Sequence, residues 1–251
     1  MSCMLQIEGL TKRFGDLTAV DRISFEVGQG EVLGFLGPNG AGKTTAMRVV
    51  AGYFPATEGR VLVNGLDIAK HPLEVKRVLG YLPEGAPLYE DMTPRELLGF
   101  VAEVRGFSGA RRNDAIDRAA ELISIGHVMH QTIGTLSKGY KRRVGIAQAI
   151  LHDPDLLILD EPTDGLDPNQ KHEVRRLIRE MSKEKVIVIS THLLEEVDMV
   201  CSRVIIIARG RIVADGTPEV LQVHGPDGAS ETIQVEPGQL DEVFRRITTA
   251  A

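Results

Sequence analysis

The sequence predicts an α/β protein with a mostly parallel sheet between helices, a flanking antiparallel β-subdomain and an inserted helical subdomain. Three observations support this: apolar strand-length runs, more polar hairpin-like pieces, and a long stretch with no strand pattern. Four runs are apolar on both faces, as in strands that helices cover from each side. These runs are Glu31–Gly37, Asp155–Asp160, Lys185–Ser190 and Val204–Ala208.

The hairpin-like pieces predict an antiparallel sheet beside the main one. Their apolar residues alternate with polar ones, which is typical of strands with one solvated face. The pieces are Gln6–Phe14 with Ile23–Val27, then Gly59–Asn64, and finally Gly210–Asp215.

The stretch between Leu82 and Pro154 predicts only helices, and we place a helical subdomain at about residues 85–153. Thr93-Pro-Arg-Glu96 is a capping box with proline at the first helical position, so it should open a helix that ends near Gly106. Two further helices are predicted, one over Arg111–Ser124 and one that begins at Ser137.

The last part of the chain predicts one strand and one amphipathic helix. The strand pattern covers Glu231–Val235, and apolar residues then recur at helical spacing. We expect this helix to pack on its own domain, and we divide the chain into a main domain, 1–225, and a short C-terminal extension, 226–251. The apolar positions of the helix are Leu240, Val243, Phe244 and Ile247.

Composition indicates a globular protein that does not bind nucleic acid. The 251 residues are 43% hydrophobic, and 29 basic against 35 acidic residues give a net charge of −6. Binding to a polyanion needs concentrated positive charge instead. Two cysteines, Cys3 and Cys201, favour a reducing compartment. With no secretion signal and no apolar run long enough to cross a membrane, we expect a cytoplasmic location.

A glycine-rich motif follows the first apolar strand and leads into a predicted helix, Thr44–Ala51. It matches G-x-x-x-x-G-K-[ST], in which backbone N–H groups surround phosphate at a helix N-terminus. Lys43 would reach the β- and γ-phosphates, and the Thr44 hydroxyl would ligate Mg²⁺. The motif predicts a P-loop NTPase core. Its residues are Gly37, Pro38, Asn39, Gly40, Ala41, Gly42, Lys43, Thr44 and Thr45.

Two adjacent carboxylates end the apolar strand at residue 160. Asp160 suits Mg²⁺ binding, and Glu161 suits activation of an attacking water. Buried carboxylates are costly unless a cation or a proton transfer uses them. The guanine-specific N-K-x-D element does not occur, which disfavours a small G-domain GTPase.

The order of motifs resembles that of the ATP-binding subunit of ABC transporters. The phosphate loop comes first, then LSKGYKRR, then LLILDEP, and finally STH. The resemblance covers about Leu5 to Gly216 and implies binding and hydrolysis of ATP with Mg²⁺. YLPEGAPLYEDMT and LDEPTDGLDPNQ look most like ABC-2-type exporter ATPases, the gliding-motility type included.

The resemblance implies roles for four further residues. Phe14 lies where the family places an aromatic that stacks on adenine. Glu84 stands where many members have Gln, in the loop that senses Mg²⁺, water and the transmembrane partner, and its carboxylate adds negative charge there. Asp167 matches the loop that crosses to the second subunit, and His192 matches the histidine that contacts the γ-phosphate and orients the water.

LSKGY is similar to the family signature L-S-G-G-Q, with Lys138 for the first glycine and Tyr140 for glutamine. Ser137 and Gly139, the two positions implied to touch a γ-phosphate, are intact. Serine is a favoured helix N-cap, and glycine leaves its amide accessible. In the family this helix N-terminus faces the ATP held by the other subunit of a dimer.

Three basic residues follow the signature, namely Lys141, Arg142 and Arg143. A nucleic-acid-facing helix would explain them, but the acidic balance of the chain opposes that. We therefore predict that they form a solvated helix face.

The resemblance implies a homodimer closed by ATP that drives a separate integral-membrane permease, with the chain peripheral on the cytoplasmic face of the membrane. Two alternatives stay open. One is a soluble ABC ATPase without a permease, and the other is a small-molecule kinase with the same phosphate loop, which would have no use for Glu161 or Ser137.

Overall fold

The structure is a computed structural model that describes residues 3–85, 87–225, 229–236 and 238–250. It has two sheets and eight α-helices in these ranges. The strands are β1 (Cys3–Phe14), β2 (Leu17–Gly28), β3 (Val32–Leu36), β4 (Glu58–Val63), β5 (Leu66–Asp67), β6 (Leu79–Leu82), β7 (Leu156–Asp160), β8 (Val186–Thr191), β9 (Arg203–Ala208), β10 (Arg211–Thr217), β11 (Val220–His224) and β12 (Ser230–Gln234). The helices are α1 (Lys43–Val50), α2 (Pro72–Val78), α3 (Pro94–Val104), α4 (Gly109–Leu122), α5 (Lys138–Ile150), α6 (Pro168–Met181), α7 (Leu194–Val200) and α8 (Leu240–Ala250).

The main sheet has the strand order β12-β11-β10-β9-β3-β8-β7-β6. Strands β9, β3, β8, β7 and β6 are parallel, and β10, β11 and β12 extend the sheet in antiparallel pairs. The prediction of a mostly parallel central sheet is confirmed. All four predicted apolar runs lie in it, and nearly every residue of β3, β7, β8 and β9 is buried.

The second sheet, β2-β1-β4-β5, is antiparallel throughout and confirms the predicted β-subdomain. One assignment was wrong. The piece Gly210–Asp215 was predicted to belong to this sheet, but β10 pairs with β9 in the main sheet. A polar, alternating strand fits either sheet, because the pattern specifies one solvated face and not the neighbouring strand.

Different elements cover the two faces of the main sheet. On one face, α1 and the antiparallel sheet enclose a core that includes Phe35 and Ile158. On the other, residues such as Leu157 and Ile189 pack with α3, α4, α5 and α6. The apolar runs are thus buried on both faces for the reason predicted.

The helical block is confirmed, since the described residues between β6 and β7 contain no strand. Thr93 caps α3 as expected: its Oγ1 accepts from the Glu96 N–H at 3.2 Å, while Glu96 accepts from the Thr93 N–H at 2.7 Å. Helix α8 packs on its own domain through Leu240, Val243 and Ile247, also as expected.

The boundary between a main domain, 1–225, and an extension, 226–251, stays a prediction, because residues 226–228 lie outside the described residues. On the far side of that gap, β12 pairs with β11. Among the described residues, no helix has the length and apolar character needed to cross a membrane.

Candidate functional site

The carboxyl ends of four neighbouring parallel strands carry most of the predicted site residues. In the sheet order, β3 leads into the phosphate loop, β8 into His192, β7 ends at Asp160 beside Glu161, and β6 is followed by Glu84. Ligands of open α/β sheets bind at this edge. The topology thus brings together residues that are far apart in the sequence.

The phosphate loop packs so closely on its neighbours that only glycine fits at two positions. A side-chain carbon at Gly37 would collide with the carbonyl oxygen of Ile207, and one at Gly42 would collide with that of Ala19. The rest of the motif is placed as predicted, with an exposed loop tip and three residues in the first turn of α1. The tip is Pro38, Asn39 and Gly40, followed by buried Ala41, and the helical residues are Lys43, Thr44 and Thr45.

Helix α1 begins without a side-chain cap. Gly42 precedes it with a φ of 107°, and no side chain of the described residues accepts a hydrogen bond from its first turn. The first N–H groups of an α-helix have no intrahelical partner, and the helix dipole favours negative charge there. The N-terminus of α1 is therefore ready to bind an anion such as phosphate.

Lys43 lies folded over its own loop. Its Nζ donates to the carbonyl oxygens of Gly37 at 2.7 Å and Pro38 at 3.2 Å, and the residue is buried. Burial lowers the pKa of Lys43, and the charges of Glu161, Asp160 and Glu84 oppose that shift. A negative ligand in the loop would likewise stabilise the ammonium form.

Asp160 is fully buried and keeps one oxygen free. Its Oδ1 accepts from Thr44 Oγ1 at 3.5 Å, whereas Oδ2 has no partner among the described residues. Burial raises the pKa of Asp160. A free carboxylate oxygen beside a hydroxyl fits Mg²⁺, which proteins bind through one or two carboxylates together with substrate phosphates. A cage of three or more His, Cys, Asp or Glu does not occur in the described ranges.

Glu161 and His192 form a pair next to this position. Glu161 Oε1 lies 2.9 Å from His192 Nδ1, and Glu161 Oε2 lies 3.5 Å from Thr191 Oγ1. The backbone of Glu161 has a φ of 52°, an uncommon value for a residue with a side chain. Its N–H donates to the Ser190 carbonyl oxygen at 2.8 Å. Such strain persists where the surrounding structure holds it, often at functional sites.

Arg142 corrects one prediction, because it belongs to the buried interior and not to a solvated helix face. Its guanidinium donates to the carbonyl oxygens of Pro83 and Pro162 at 3.2 Å, and also to those of Asp160 and Glu161. Burial lowers its pKa, against the pull of the nearby carboxylates. Arg142 therefore holds the backbone on which both acidic site residues stand.

The other two basic residues differ from each other. Arg143 is also buried and pairs with Glu173, so the prediction of a solvated face is wrong for it as well. Lys141 is partly exposed and pairs with Glu90 at 3.0 Å. The sequence contains a signal for the burial of Arg142. It precedes Ile146 by four positions, so both residues lie on the apolar stripe of α5.

The signature residues form a second cluster that contacts α6. Ser137 caps α5, its Oγ 3.4 Å from the Tyr140 N–H, while Gly139 lies so close to Gln170 that a side-chain carbon would collide with it. The Lys138 side chain packs against Gly165, and its Nζ forms an ion pair with Asp164 at 3.3 Å. Asp167 caps α6 with Gln170 in a capping box. Within the described part of the chain, none of these residues is hydrogen-bonded or ion-paired to the phosphate loop.

The structure places both Phe14 and Glu84 on the protein surface. Phe14 ends β1 with 43% of its surface exposed, its ring 5.6 Å from that of Phe54 and 4.9 Å from Lys12 Nζ. An exposed ring of this kind offers a stacking face. Glu84 is exposed after β6, and its charge adds to the rise in the pKa of Asp160 that burial causes.

Known proteins match the chain over most of its length. The family model described as ABC transporter matches residues 20–164. The bacitracin transport ATP-binding protein BcrA of Bacillus licheniformis is 39% identical over 217 residues, which are 86% of this chain and 70% of the relative. The probable multidrug ABC transporter ATP-binding protein YbhF of Escherichia coli is 35% identical over 222 residues, 88% of this chain but only 38% of the length of YbhF.

A solved structure of the ATP-binding subunit of an ABC transporter shares the whole fold. It superposes with a TM-score of 0.81 at 29% identity, and the match covers 98% of this chain and 99% of the other. The two-sheet architecture and the inserted helical block therefore match those of a known ATP-binding subunit.

Proposed function

The chain belongs to the ABC transporter ATP-binding family, with its ABC ATPase domain, and from this premise we propose that it drives a separate membrane permease. ATP would close two copies into a dimer, and hydrolysis would reopen it. The permease would be an ABC-2-type exporter, and the chain would lie on the cytoplasmic face of the membrane. The names of two relatives, for bacitracin transport and multidrug transport, support the transporter assignment.

The uncapped N-terminus of α1 beside the acidic pair carries the proposal for ATP. The loop amides and Lys43 would bind the phosphates, and Thr44 with Asp160 would hold Mg²⁺, which supplies positive charge against the phosphate oxygens. Glu161 would take a proton from the attacking water, and His192, 2.9 Å from it, would orient the water at the γ-phosphate. Phe14 would stack on adenine, as an exposed ring allows.

The second cluster supports dimerisation. Ser137 and Gly139 open α5, a second helix N-terminus suited to an anion, yet their recorded contacts in the described residues go to α6. If this helix end binds a γ-phosphate, the phosphate belongs to another copy of the chain. Asp167, which caps α6 beside the same cluster, would reach across with it.

An exposed apolar surface supports a permease partner. Tyr89 and Phe100 are 61% and 48% exposed with ring centroids 6.3 Å apart, and Val104, one turn further along α3, is 71% exposed. Tyr89 lies five residues after Glu84, in the loop that leads from β6 to the helical block, and Phe100 and Val104 share one face of α3. Exposed apolar patches mark sites of protein or membrane interaction.

Affinity purification tests the proposal. The tagged chain is purified from detergent-solubilised membranes of its native host, and its partners are identified by mass spectrometry. We expect a multi-span membrane protein in stoichiometric amount, lost when Tyr89 and Phe100 are both changed to Ser. Recovery of soluble partners alone, with the chain absent from membranes, would favour a soluble ABC ATPase instead.

A further inference from the structure

A lysine and a second aromatic ring contact Phe14, and the proposed function does not yet use either of them. The Phe14 and Phe54 rings lie 5.6 Å apart, centroid to centroid, with their planes at 82°. Lys12 Nζ lies over both rings, 4.9 Å from the centroid of Phe14 and 5.6 Å from that of Phe54. Edge-to-face ring pairs and cations over ring faces are both attractive arrangements. Lys12 and Phe54 therefore restrict the orientation of the Phe14 ring.

The segment that carries Phe54 is itself held by helix α1. Tyr53 and Phe54 donate from their N–H groups to the carbonyl oxygen of Arg48, in the last turn of α1, at 2.8 and 3.4 Å. Phe54 is half-buried against the core that α1 shares with the second sheet. Lys12 Nζ donates to the Pro55 carbonyl oxygen at 3.0 Å, which holds the ammonium in place over the rings. The cluster is thus fixed to the helix whose N-terminus follows the phosphate loop.

The hairpin that carries Phe14 passes beside the phosphate loop. Phe14 pairs with Leu17 across the turn between β1 and β2. Two residues further on, the Ala19 carbonyl oxygen lies so close to Gly42 that a side chain on Gly42 would collide with it. Because two strand residues span only about 7 Å, a nucleotide bound at the loop can extend to the Phe14 ring.

We propose that Lys12 and Phe54 are positioning residues for the base of the nucleotide. They fix the Phe14 ring, of which 43% is exposed, so that the face opposite Lys12 stacks on the base. A side chain that is ordered before binding loses less conformational entropy when the ligand arrives. The cation also draws electron density from the ring, which favours stacking of an electron-rich base on the opposite face. The inference rests on the proposed stacking of Phe14 on adenine.

Isothermal titration calorimetry of the full chain with Mg²⁺ tests this with two probes, ADP and inorganic pyrophosphate. Neither probe has a γ-phosphate, and only ADP carries a base, so the ratio of the two affinities isolates the contribution of the base. Lys12→Met and Phe54→Leu should each raise the Kd for ADP about threefold, the size expected when a cation–π contact or an aromatic pair is lost. Neither change should alter the Kd for pyrophosphate.

A double-mutant cycle shows whether Lys12 acts through Phe14. Phe14→Ala should raise the Kd for ADP about tenfold, since stacking of a base on an aromatic side chain contributes that much. Lys12→Met should have no further effect in the Phe14→Ala background, because both changes act on one ring. Full additivity of the two losses would mean that Lys12 acts on the nucleotide by another route, and would overturn the inference.

Three further variants make the test specific. Arg13→Met removes the same charge one residue away, where the side chain pairs with the exposed Glu58 at 2.5 Å, and should keep the wild-type Kd for ADP. Lys12→Arg and Phe54→Tyr, which retain the cation and the ring, should bind ADP like the wild type. If Phe54→Leu does not fold, Lys12→Met alone decides, because Lys12 is partly exposed. An equal loss of ADP affinity in Arg13→Met, or an equal loss of pyrophosphate affinity in Lys12→Met, would overturn the positioning role.

Phe14→Ala also separates the positioning role from the proposed function. If it weakens ADP binding while Lys12→Met and Phe54→Leu bind ADP like the wild type, only the positioning role fails. If Phe14→Ala binds ADP with wild-type affinity, the proposed stacking of Phe14 on adenine is itself wrong.

Discussion

Two helix N-termini of this molecule differ in how their first N–H groups are satisfied. Helix α1 follows Gly42 with no side-chain cap and lies at the carboxyl edge of the main sheet, beside Asp160 and Glu161. Helix α5 is capped by its own Ser137 and contacts α6 through Gly139. The first has no capping side chain at all, whereas at the second Ser137 accepts from one of the four N–H groups that a helix N-terminus leaves free.

Under the proposed function, the difference sets how each helix end would bind phosphate. At α1 the proposed catalytic carboxylates, the lysine and the loop come from one chain, so a nucleotide could bind to a monomer. At α5 the described signature residues make no hydrogen bond to the acidic pair, so in the proposal that end would supply only half of a site. Arg142 joins the two regions, because it lies on α5 and donates to the backbone of Asp160 and Glu161.

The largest effect should come from the α1 region. Glu161→Gln should lower the rate of ATP hydrolysis by about a hundredfold or more, since a general base contributes that much, and should trap an ATP-bound dimer. Phosphate release and light scattering with ATP measure the two outcomes. Asp155→Asn, an exposed change at the other end of β7, is the matched control. Wild-type hydrolysis by Glu161→Gln would contradict the assignment.

The second largest effect should come from replacing Arg142, which connects the two regions. Arg142→Met should lower the free energy of unfolding by about 3 kcal/mol, because it removes charge-assisted hydrogen bonds from four buried or partly buried carbonyl groups. Lys141→Met, one residue earlier and on the surface, should change it by less than about 0.5 kcal/mol. Urea denaturation compares them. Equal small effects would mean that Arg142 is solvated after all.

A change at the N-terminus of α5 should weaken dimerisation without weakening nucleotide binding by a single copy. Ser137→Arg should raise the ATP concentration needed for dimerisation roughly tenfold or more, because a bulky side chain strains a closely packed contact. Nucleotide binding by the monomer should stay intact, as fluorescent-nucleotide titration would show. Loss of all nucleotide binding would instead place Ser137 in the pocket of its own chain and remove the contrast with α1.

The smallest effect should be the loss of stability when the Ser137 cap of α5 is removed. Ser137→Ala should lower the free energy of unfolding by about 0.5 kcal/mol, the low end for an N-cap, because the bond to the Tyr140 N–H is long at 3.4 Å. Thr93→Ala should have a larger effect, about 1 kcal/mol, since it removes a complete capping box. Thermal unfolding of both variants would show which substitution destabilises the protein more. A larger loss at Ser137 would show that the cap stabilises α5 more than its geometry indicates.

Much of the fold follows from short patterns. Thr93 and Glu96 specify the start of α3, because a cap depends on residues three positions apart. The sheet assignment of β10 failed for the opposite reason: its pattern specifies a solvated face, while its partner β9 is selected by the chain reversal after Ala208. Helices α6 and α7 were not predicted, although Asp167 and Gln170 form a capping box at the start of α6.

The sequence by itself determined the phosphate loop, the acidic pair, His192 and their order, because each motif is a local arrangement of residue types. Only the tertiary structure decided which groups share an environment. It buried Arg142 under the acidic pair and placed Gly139 against Gln170. Burial and charge pairing depend on contacts between distant segments, and the same arginine or glutamate in the sequence is compatible with a solvated surface or with the centre of the molecule.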